Sequence, residues 1–276
     1  MSRAHAEVLK SWGLLASLAL RRPREFYDRM RGYADLGLDL LSGAPPIYEA
    51  VSWKNALQDV EERFGRVADV LGEPALREAE EDTRKLLKEI QAEDPFSPRW
   101  VADSLLARCC YLVCRLLEPD VVLETGVAYG VSSAFVLKAL QVNGRGALYS
   151  VDLPPLRREY ERFWGIAVDG ALRSRWRLYR GSSGRILPWL LEEVRTVDLF
   201  VHDSLHTYRN MRRESEAVWP HLRAGGVLVA DDVERSRAFG ELRQKNPALW
   251  RVVRDRQERP LHDRAVPIAT FGIVVK

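Results

Sequence analysis

Cysteine is scarce in this sequence, and no stretch of it is apolar enough to cross a membrane. The three cysteines, Cys109, Cys110 and Cys114, are odd in number and clustered, so they do not form a disulfide framework. They also lack the paired CxxC spacing that is typical of zinc sites. The apolar run from Trp12 to Leu20 is shorter than the roughly 18 residues that span a bilayer, and arginines follow it instead of a cleavage site. We therefore expect a cytoplasmic protein without a membrane partner.

A large excess of charge of either sign is also missing. The chain has 42 Lys and Arg against 39 Asp and Glu, which gives a net charge of +3. Charges of both signs are interspersed along the chain, and residues 78–85 look like a solvated helix face. Nucleic-acid-binding domains usually concentrate basic residues on one face, so we expect no nucleic-acid partner. Nothing in the sequence decides whether the chain forms a homo-oligomer.

The 276 residues suffice for one large domain and a smaller attached region. Helical spacing of apolar residues in 4–20 and 55–70, and a charged helical stretch from Pro74 to about Glu93, indicate helices in the first third. The glycines and prolines between Gly32 and Pro46 predict a loop. Residues 1–97 are therefore interpreted as a helical N-terminal extension or cap.

Residues 98–276 follow a different pattern. Ser97-Pro98 predicts a helix start, and the helix carries Val101 and Leu105 on its apolar side. Short strands rich in Val and Leu then alternate with helices, which indicates βαβ units and a parallel sheet. Two final strand-like segments without a full helix between them predict an antiparallel hairpin. The predicted strands are 121–124, 147–152, 176–180, 197–203, 227–231, 250–255 and 270–275.

This alternation predicts an α/β fold. We expect a Rossmann-like, doubly wound, seven-stranded and mostly parallel sheet, with an antiparallel last strand and the N-terminal helical extension. Ligands of such sheets bind at the carboxyl ends of the strands, near the point where the strand order reverses. The residues that end each strand are therefore the candidates for function.

A glycine loop follows the first predicted strand. It reads Glu124-Thr-Gly126-Val-Ala-Tyr-Gly130, with two glycines four residues apart instead of the GxGxxG of nicotinamide sites. An acid beside the loop would repel a pyrophosphate but attract a cationic amino-acid ligand, which favours S-adenosylmethionine over NAD. Asp152 ends the second strand, where an acid can accept hydrogen bonds from both ribose hydroxyls. A glycine turn without a ligand is the alternative.

Acidic residues also end the fourth and fifth strands. Asp203 follows one, and Asp231 and Asp232 follow the other, so their carboxylates should converge. Converging carboxylates repel one another unless a cation neutralises them, and Mg²⁺ prefers oxygen ligands. His206, three residues after Asp203, could take a proton from a metal-bound hydroxyl. The alternative is that the acids cap a turn and that His206 is structural.

These motifs resemble those of class I S-adenosylmethionine-dependent methyltransferases. The likeness rests on residues 124–133, Ser150-Val-Asp152, residues 198–208 and residues 222–232 with their Gly225-Gly226 turn. It extends over about residues 100–276. It is closest to the metal-dependent branch that methylates sugars of macrolides and related natural products and includes cephalosporin-cluster enzymes.

The resemblance implies a function and a set of site residues. The reaction would be O-methylation of a small-molecule acceptor, of sugar or natural-product type, assisted by Mg²⁺ with Asp203 and His206 as catalytic residues. Metal-independent N- or O-methylation and a non-catalytic cofactor-binding module are the alternatives. Ser182 departs from the family's pattern, which has an acid near that position, and Ser204, Leu205 and Ala224 depart from it as well. The implied metal ligands are Asp203, Asp231 and Asp232, and the implied cofactor-binding residues are Glu124, Gly126, Tyr129, Gly130, Ser132, Asp152 and Ser182.

Overall fold

A computed structural model describes residues 13–41, 46–91, 96, 101–263 and 265–276. The predicted helix start at Ser97-Pro98 and the first part of the helix at 4–20 lie outside these residues, while residues 13–21 are helical as expected. Four further helices follow within the described part of residues 22–91. They are α1 (Pro23–Leu40), α2 (Trp53–Phe64), α3 (Val67–Leu71) and α4 (Pro74–Ile90).

The prediction of a loop from Gly32 to Pro46 is wrong for most of its length. Helix α1 continues through Gly32 to Leu40. Glu25, Asp28 and Asp35 of this helix are buried against the rest of the protein. Because its inward face is acidic instead of apolar, the sequence lacks the apolar helical spacing that predicts a helix. The glycines therefore favour the prediction of a loop.

The sheet has seven strands, in the order β3-β2-β1-β4-β5-β7-β6. Strands β1 to β5 pair in parallel, and β7 pairs antiparallel with both β5 and β6. The predicted Rossmann-like sheet with its antiparallel last strand is therefore confirmed. The strands are β1 (Val121–Thr125), β2 (Ala147–Asp152), β3 (Trp176–Arg180), β4 (Val197–His202), β5 (Leu222–Asp231), β6 (Leu249–Arg256) and β7 (Ile268–Val275).

Helices cover both faces of the sheet, so alternate strand residues enter two separate cores. Val122 and Leu199 belong to one core, and Leu123 and Phe200 belong to the other. Burial on both faces explains why these strands read as continuous apolar runs. The covering helices are α5 (Ser104–Leu117), α6 (Val131–Asn143), α7 (Ser183–Val194), α8 (Tyr208–Val218) and the short α9 (Ala238–Glu241).

Two helical boundaries differ from the prediction. Helix α5 begins at Ser104, so Val101 precedes it; Asp103 caps it by accepting hydrogen bonds from the backbone N–H groups of Leu105 and Leu106 at 2.9 and 2.7 Å. The connection from β2 to β3, predicted as largely helical, consists of two short 3₁₀ segments, Arg158–Phe163 and Gly170–Arg175. Among the described residues, no helix is long and apolar enough to cross a membrane.

Candidate active site

The glycine loop after β1 lies directly against the residues that follow β4. Gly126 has a φ of +86°, and a Cβ at this position would lie 1.9 Å from the carbonyl oxygen of Asp203. Only glycine permits this approach. Gly130 has a φ of +82° and begins helix α6. The predicted cofactor loop and the predicted metal site are therefore parts of one site at the carboxyl edge of the sheet.

Glu124 lies at the base of this loop and is completely buried. Its carboxylate accepts hydrogen bonds from the hydroxyls of Ser132, Ser133 and Ser150 at 2.9, 2.6 and 2.6 Å. Burial raises the pKa of Glu124 to about 7, although the three hydroxyls act in the opposite direction. The carboxylate thus connects β1 to β2 and to the first turn of α6. Its contact with a ligand ammonium stays a prediction.

Three other predicted cofactor contacts are directed into the protein. The Tyr129 ring is buried and packs edge-on against Phe96, with 4.6 Å between the ring centroids. Ser132 donates to Glu124, and the Ser182 hydroxyl donates to Asp28 of α1 at 2.8 Å. The partners of Tyr129 and Ser182 come from distant segments, 33 and 154 residues away along the chain, so the sequence could not show these contacts.

Asp152 ends β2, as predicted, and faces the glycine loop. Its Oδ2 accepts from the backbone N–H of Ala128 at 3.2 Å and from the indole N–H of Trp164 at 2.8 Å. Its Oδ1 accepts from the N–H of Leu153 at 2.8 Å. Burial raises the pKa of Asp152, and these donors lower it in part. The carboxylate thus lies where an acid binds the ribose in sheets of this kind.

Asp203, His206 and Asp231 converge at the ends of β4 and β5. The Nε2 atom of His206 lies 3.9 Å from Oδ1 of Asp203 and 3.9 Å from Oδ2 of Asp231. Ligand atoms of all three residues lie within 4.8 Å of one another. Nε2 of His206 is buried without a hydrogen-bond partner. Two carboxylate oxygens and an unpartnered imidazole nitrogen are a donor set that fits a divalent cation.

The electrostatics of this group also fit a cation. Burial, together with neighbouring carboxylates, raises the pKa of Asp203 and of Asp231 well above the usual range. Burial also lowers the pKa of His206 well below its usual value, and His202 and Arg235 add to this effect. His206 is therefore neutral at physiological pH, which is the state that a metal ligand or a proton acceptor requires.

Asp232 differs from the other two acids. It has a φ of +48°, and its Oδ2 forms an ion pair with Nε of Arg235 at 2.9 Å. The same oxygen lies 3.5 Å from Nδ1 of His206. The group that could hold an ion consists of Asp203, His206 and Asp231. Asp232 is not part of this group and lies near Nδ1 of the imidazole instead.

A buried network that the sequence analysis missed supports the loop after β4. Glu214 of α8 is completely buried and accepts from Thr125, Ser204 and Asn210 at 2.6, 2.9 and 2.8 Å. Its Oε2 also lies 2.6 Å from Nδ1 of His202, and the His202 ring packs edge-on against that of His206. These contacts give His202 a structural role. A glutamate on the inward face of an amphipathic helix was the signal that could have revealed the network.

Helix α1 crosses the carboxyl edge of the sheet. Asp28 accepts from Ser182 and pairs with Arg185 at 2.9 Å, next to the end of β3. Asp35 pairs with Arg213 of α8 at 3.0 Å. The N-terminal region therefore forms part of the wall around the site.

Comparison with known families gives one match, over residues 123–233, to a family described as a methyltransferase domain. The matched stretch begins in β1, ends after β5 and spans less than half of the chain. It contains the glycine loop, Asp152 and the group of Asp203, His206 and Asp231. The match lies within the predicted methyltransferase domain of residues 98–276. No curated protein matches the sequence.

Solved structures support the same fold. An O-methyltransferase from Bacillus cereus, in complex with SAH, has a TM-score of 0.51 and 16% identity, covering 80% of this chain and 100% of that one. The O-methyltransferase TomG from Streptomyces achromogenes, involved in tomaymycin synthesis and in complex with SAM, also has a TM-score of 0.51, with 14% identity over 81% of this chain and 96% of its own. At these identities the likeness shows the fold alone.

The macrolide-sugar branch receives little support. MycE, a methyltransferase of the mycinamycin biosynthetic pathway in complex with Mg and SAH, is 24% identical over 42% of this chain and 28% of its own. Its TM-score of 0.32 is too low to carry an argument. The assignment to this particular branch therefore stays a prediction.

Proposed function

We propose that the protein is an S-adenosylmethionine-dependent O-methyltransferase that acts on a hydroxyl of a small molecule. The observation that carries this proposal is the contact of the glycine loop with Asp203 at one edge of the sheet. This contact brings the loop next to the group of Asp203, His206 and Asp231. The methyltransferase domain match and the fold shared with O-methyltransferases support it. An acceptor of natural-product type is favoured because one protein of similar fold takes part in tomaymycin synthesis.

Asp152 and the glycine loop would hold the cofactor. The Asp152 carboxylate would accept the ribose hydroxyls, and Gly126 and Gly130 would let the backbone lie close to the ligand. Bound S-adenosylmethionine supplies a methyl group on a positively charged sulfur. The acceptor oxygen forms the new C–O bond while the C–S bond breaks, the electron pair stays on sulfur, and the hydroxyl proton leaves to a base. The chain contributes chiefly by holding the two reactants in line.

His206 is our candidate for that base. If its Nδ1 carries the proton toward Asp232, 3.5 Å away, the lone pair of Nε2 points toward Asp203 and Asp231. Asp203 and Asp231 would hold Mg²⁺, which lowers the pKa of a bound hydroxyl and orients it. In this arrangement Asp232 fixes the tautomer of the imidazole.

The N-terminal region has a role in the same proposal. We assign residues 1–97 to an extension or cap and residues 98–276 to the catalytic domain, because α1 closes one side of the site through Asp28 and Asp35. The cysteines described above are free and buried, in keeping with the predicted cytoplasmic location. The absence of nucleic-acid and membrane partners stays a prediction. A homo-oligomer is possible, and the sequence does not decide it.

A methyl-transfer assay tests the proposal. The protein is incubated with S-adenosylmethionine carrying a labelled methyl group, Mg²⁺ and a panel of hydroxylated small molecules, and labelled products are analysed by mass spectrometry. We expect the label on an oxygen of at least one acceptor and none with Asp203→Asn. Label on nitrogen, or full activity after chelation, would favour the metal-independent alternative. Cofactor binding with no transfer to any hydroxylated or amine acceptor would favour the non-catalytic module.

A further inference from the structure

Trp164, in the connection between β2 and β3, makes a contact that bears on how a cofactor enters. We propose that its indole occupies one of the positions on Asp152 that the cofactor ribose needs, so that full binding requires the indole to leave. This inference rests on the proposed function. Sequence patterns did not mark Trp164, because nothing in the spacing of residues links it to Asp152.

The hydrogen bonds at Asp152 define the conflict. A carboxylate has about four acceptor positions, two on each oxygen. On Oδ2 both are filled, by the N–H of Ala128 and by the indole N–H of Trp164. On Oδ1 one is filled, by the N–H of Leu153. At most one position therefore remains, because the backbone N–H of Val127 also acts on this carboxylate, whereas the two hydroxyls of a ribose need two.

Of the donors to Asp152, the indole is the one that can leave at low cost. The N–H groups of Ala128 and Leu153 belong to the backbone of the glycine loop and of the turn after β2, so they are fixed. The Trp164 side chain is only half-buried, whereas Phe163 and Gly165 on either side are buried. Rotation of this one side chain therefore frees Oδ2 while its neighbours hold the segment in place.

The surrounding segment is firmly attached to the glycine loop. Gly165 donates its N–H to the carbonyl of Ala128 at 2.9 Å, and Ala167 donates to that of Tyr129 at 2.8 Å. These backbone bonds keep the indole beside the cofactor loop. Movement of the side chain alone, and not of the whole segment, is therefore what the structure predicts.

The indole is linked to the N-terminal cap through Arg180 of β3. The Arg180 guanidinium lies over the Trp164 ring, 5.9 Å from its centroid. Arg180 makes two hydrogen bonds to Glu161, at 3.0 and 2.9 Å, and one to Glu25 of α1 at 3.1 Å. Departure of the indole therefore removes a cation–π contact but leaves the ion pairs of Arg180 intact.

Calorimetric titration with S-adenosylhomocysteine tests the inference without any acceptor. Trp164→Phe removes the N–H but keeps an aromatic ring, so we expect this variant to bind about tenfold more tightly than the wild type, as for loss of a competing hydrogen bond to a charged group. Trp250→Phe is the matched control, since the Trp250 indole donates to the carbonyl of Phe239 at 3.1 Å, in the region of α9 and β6. Its affinity should equal that of the wild type.

The wild-type protein provides a second measurement that does not depend on any variant folding. In a ¹⁵N spectrum of the indole groups, the resonance of Trp164, assigned through its contacts with Gly165 and Arg180, should shift strongly when S-adenosylhomocysteine is added. The Trp250 resonance should stay in place.

The outcomes separate the two proposals. Tighter binding by Trp164→Phe with a shifted Trp164 resonance supports the inference. If the wild type binds the ligand while the Trp164 resonance is unmoved, or if Trp164→Phe binds equally well or more weakly, the inference is overturned and the proposed function stands. If the wild type does not bind S-adenosylhomocysteine, both fall.

Discussion

Replacing Glu124 with glutamine should change how the stability of the protein depends on pH. Glutamine keeps the shape of the side chain, its amide oxygen still accepts from the serine hydroxyls, and these hydroxyls can accept from its NH₂ group. The substitution therefore removes the ionisation of a completely buried group and leaves its packing in place.

The magnitude follows from the pKa of Glu124, which burial raises from an ordinary 4.5 to about 7. Between these values the folded protein keeps a proton that the unfolded chain has lost, so ionisation favours unfolding as the pH rises. One pKa unit corresponds to about 1.4 kcal/mol. From pH 5 to pH 8, Glu124 should therefore reduce the free energy of unfolding by about 2–3 kcal/mol.

Urea denaturation at a series of pH values measures this effect. The buried acids Asp203 and Asp231 act in the same direction, so the difference between variant and wild type, and not either profile alone, isolates Glu124. We expect Glu124→Gln to gain about 2–3 kcal/mol relative to the wild type between pH 5 and pH 8. Glu216 lies on the exposed side of α8. The free energy of unfolding of Glu216→Gln should therefore change with pH in parallel with that of the wild type. Parallel profiles for Glu124→Gln would refute the reasoning.

Three further predictions concern the cation, the base and the cap. Mg²⁺ should raise the melting temperature more at pH 8 than at pH 6, because the buried carboxylates of the site must lose their protons to bind it, and the effect should vanish in Asp203→Asn; an equal shift in that variant would contradict the site. His206→Gln should lower kcat by about a hundredfold without changing the affinity for S-adenosylhomocysteine. Because burial lowers the pKa of His206, the acid limb of the wild-type pH–activity profile should lie below pH 6.5. A limb at or above that value would argue against this base. Asp28→Asn should destabilise the docking of α1 by about 1–3 kcal/mol, because Asp28 pairs with Arg185; unchanged amide exchange in residues 23–40 would count against it.

The sheet could be predicted from the sequence because its signal is local. Most of the parallel strands are short and rich in apolar residues, and helices separate most of them; the glycine loop identifies the first strand. The N-terminal region was harder to predict, since α1 buries acids whose partners, such as Arg185 and Arg213, lie more than a hundred residues away. The late start of α5 depends likewise on the cap that Asp103 provides.

Within the site, the sequence predicts where a residue lies in the sheet but not which hydrogen bonds it makes. Asp203 and Asp231 meet because adjacent parallel strands end at one edge, and this follows from topology alone. The three serine hydroxyls on Glu124, the indole on Asp152 and the burial of Glu214 depend on tertiary contacts that no spacing encodes. Direct ligand contacts were therefore assigned to Glu124 and Tyr129, whose side chains the structure directs into the protein.

The central claim, that this site binds S-adenosylmethionine, is tested most directly by calorimetric titration of the wild-type protein with S-adenosylhomocysteine and with NAD. We predict micromolar affinity for S-adenosylhomocysteine and no binding of NAD. Asp152→Ala should weaken the binding of S-adenosylhomocysteine by about 1–3 kcal/mol, the amount expected when a charged hydrogen-bond acceptor is lost. Tight binding of NAD, with no heat from the sulfur ligand, would contradict the account.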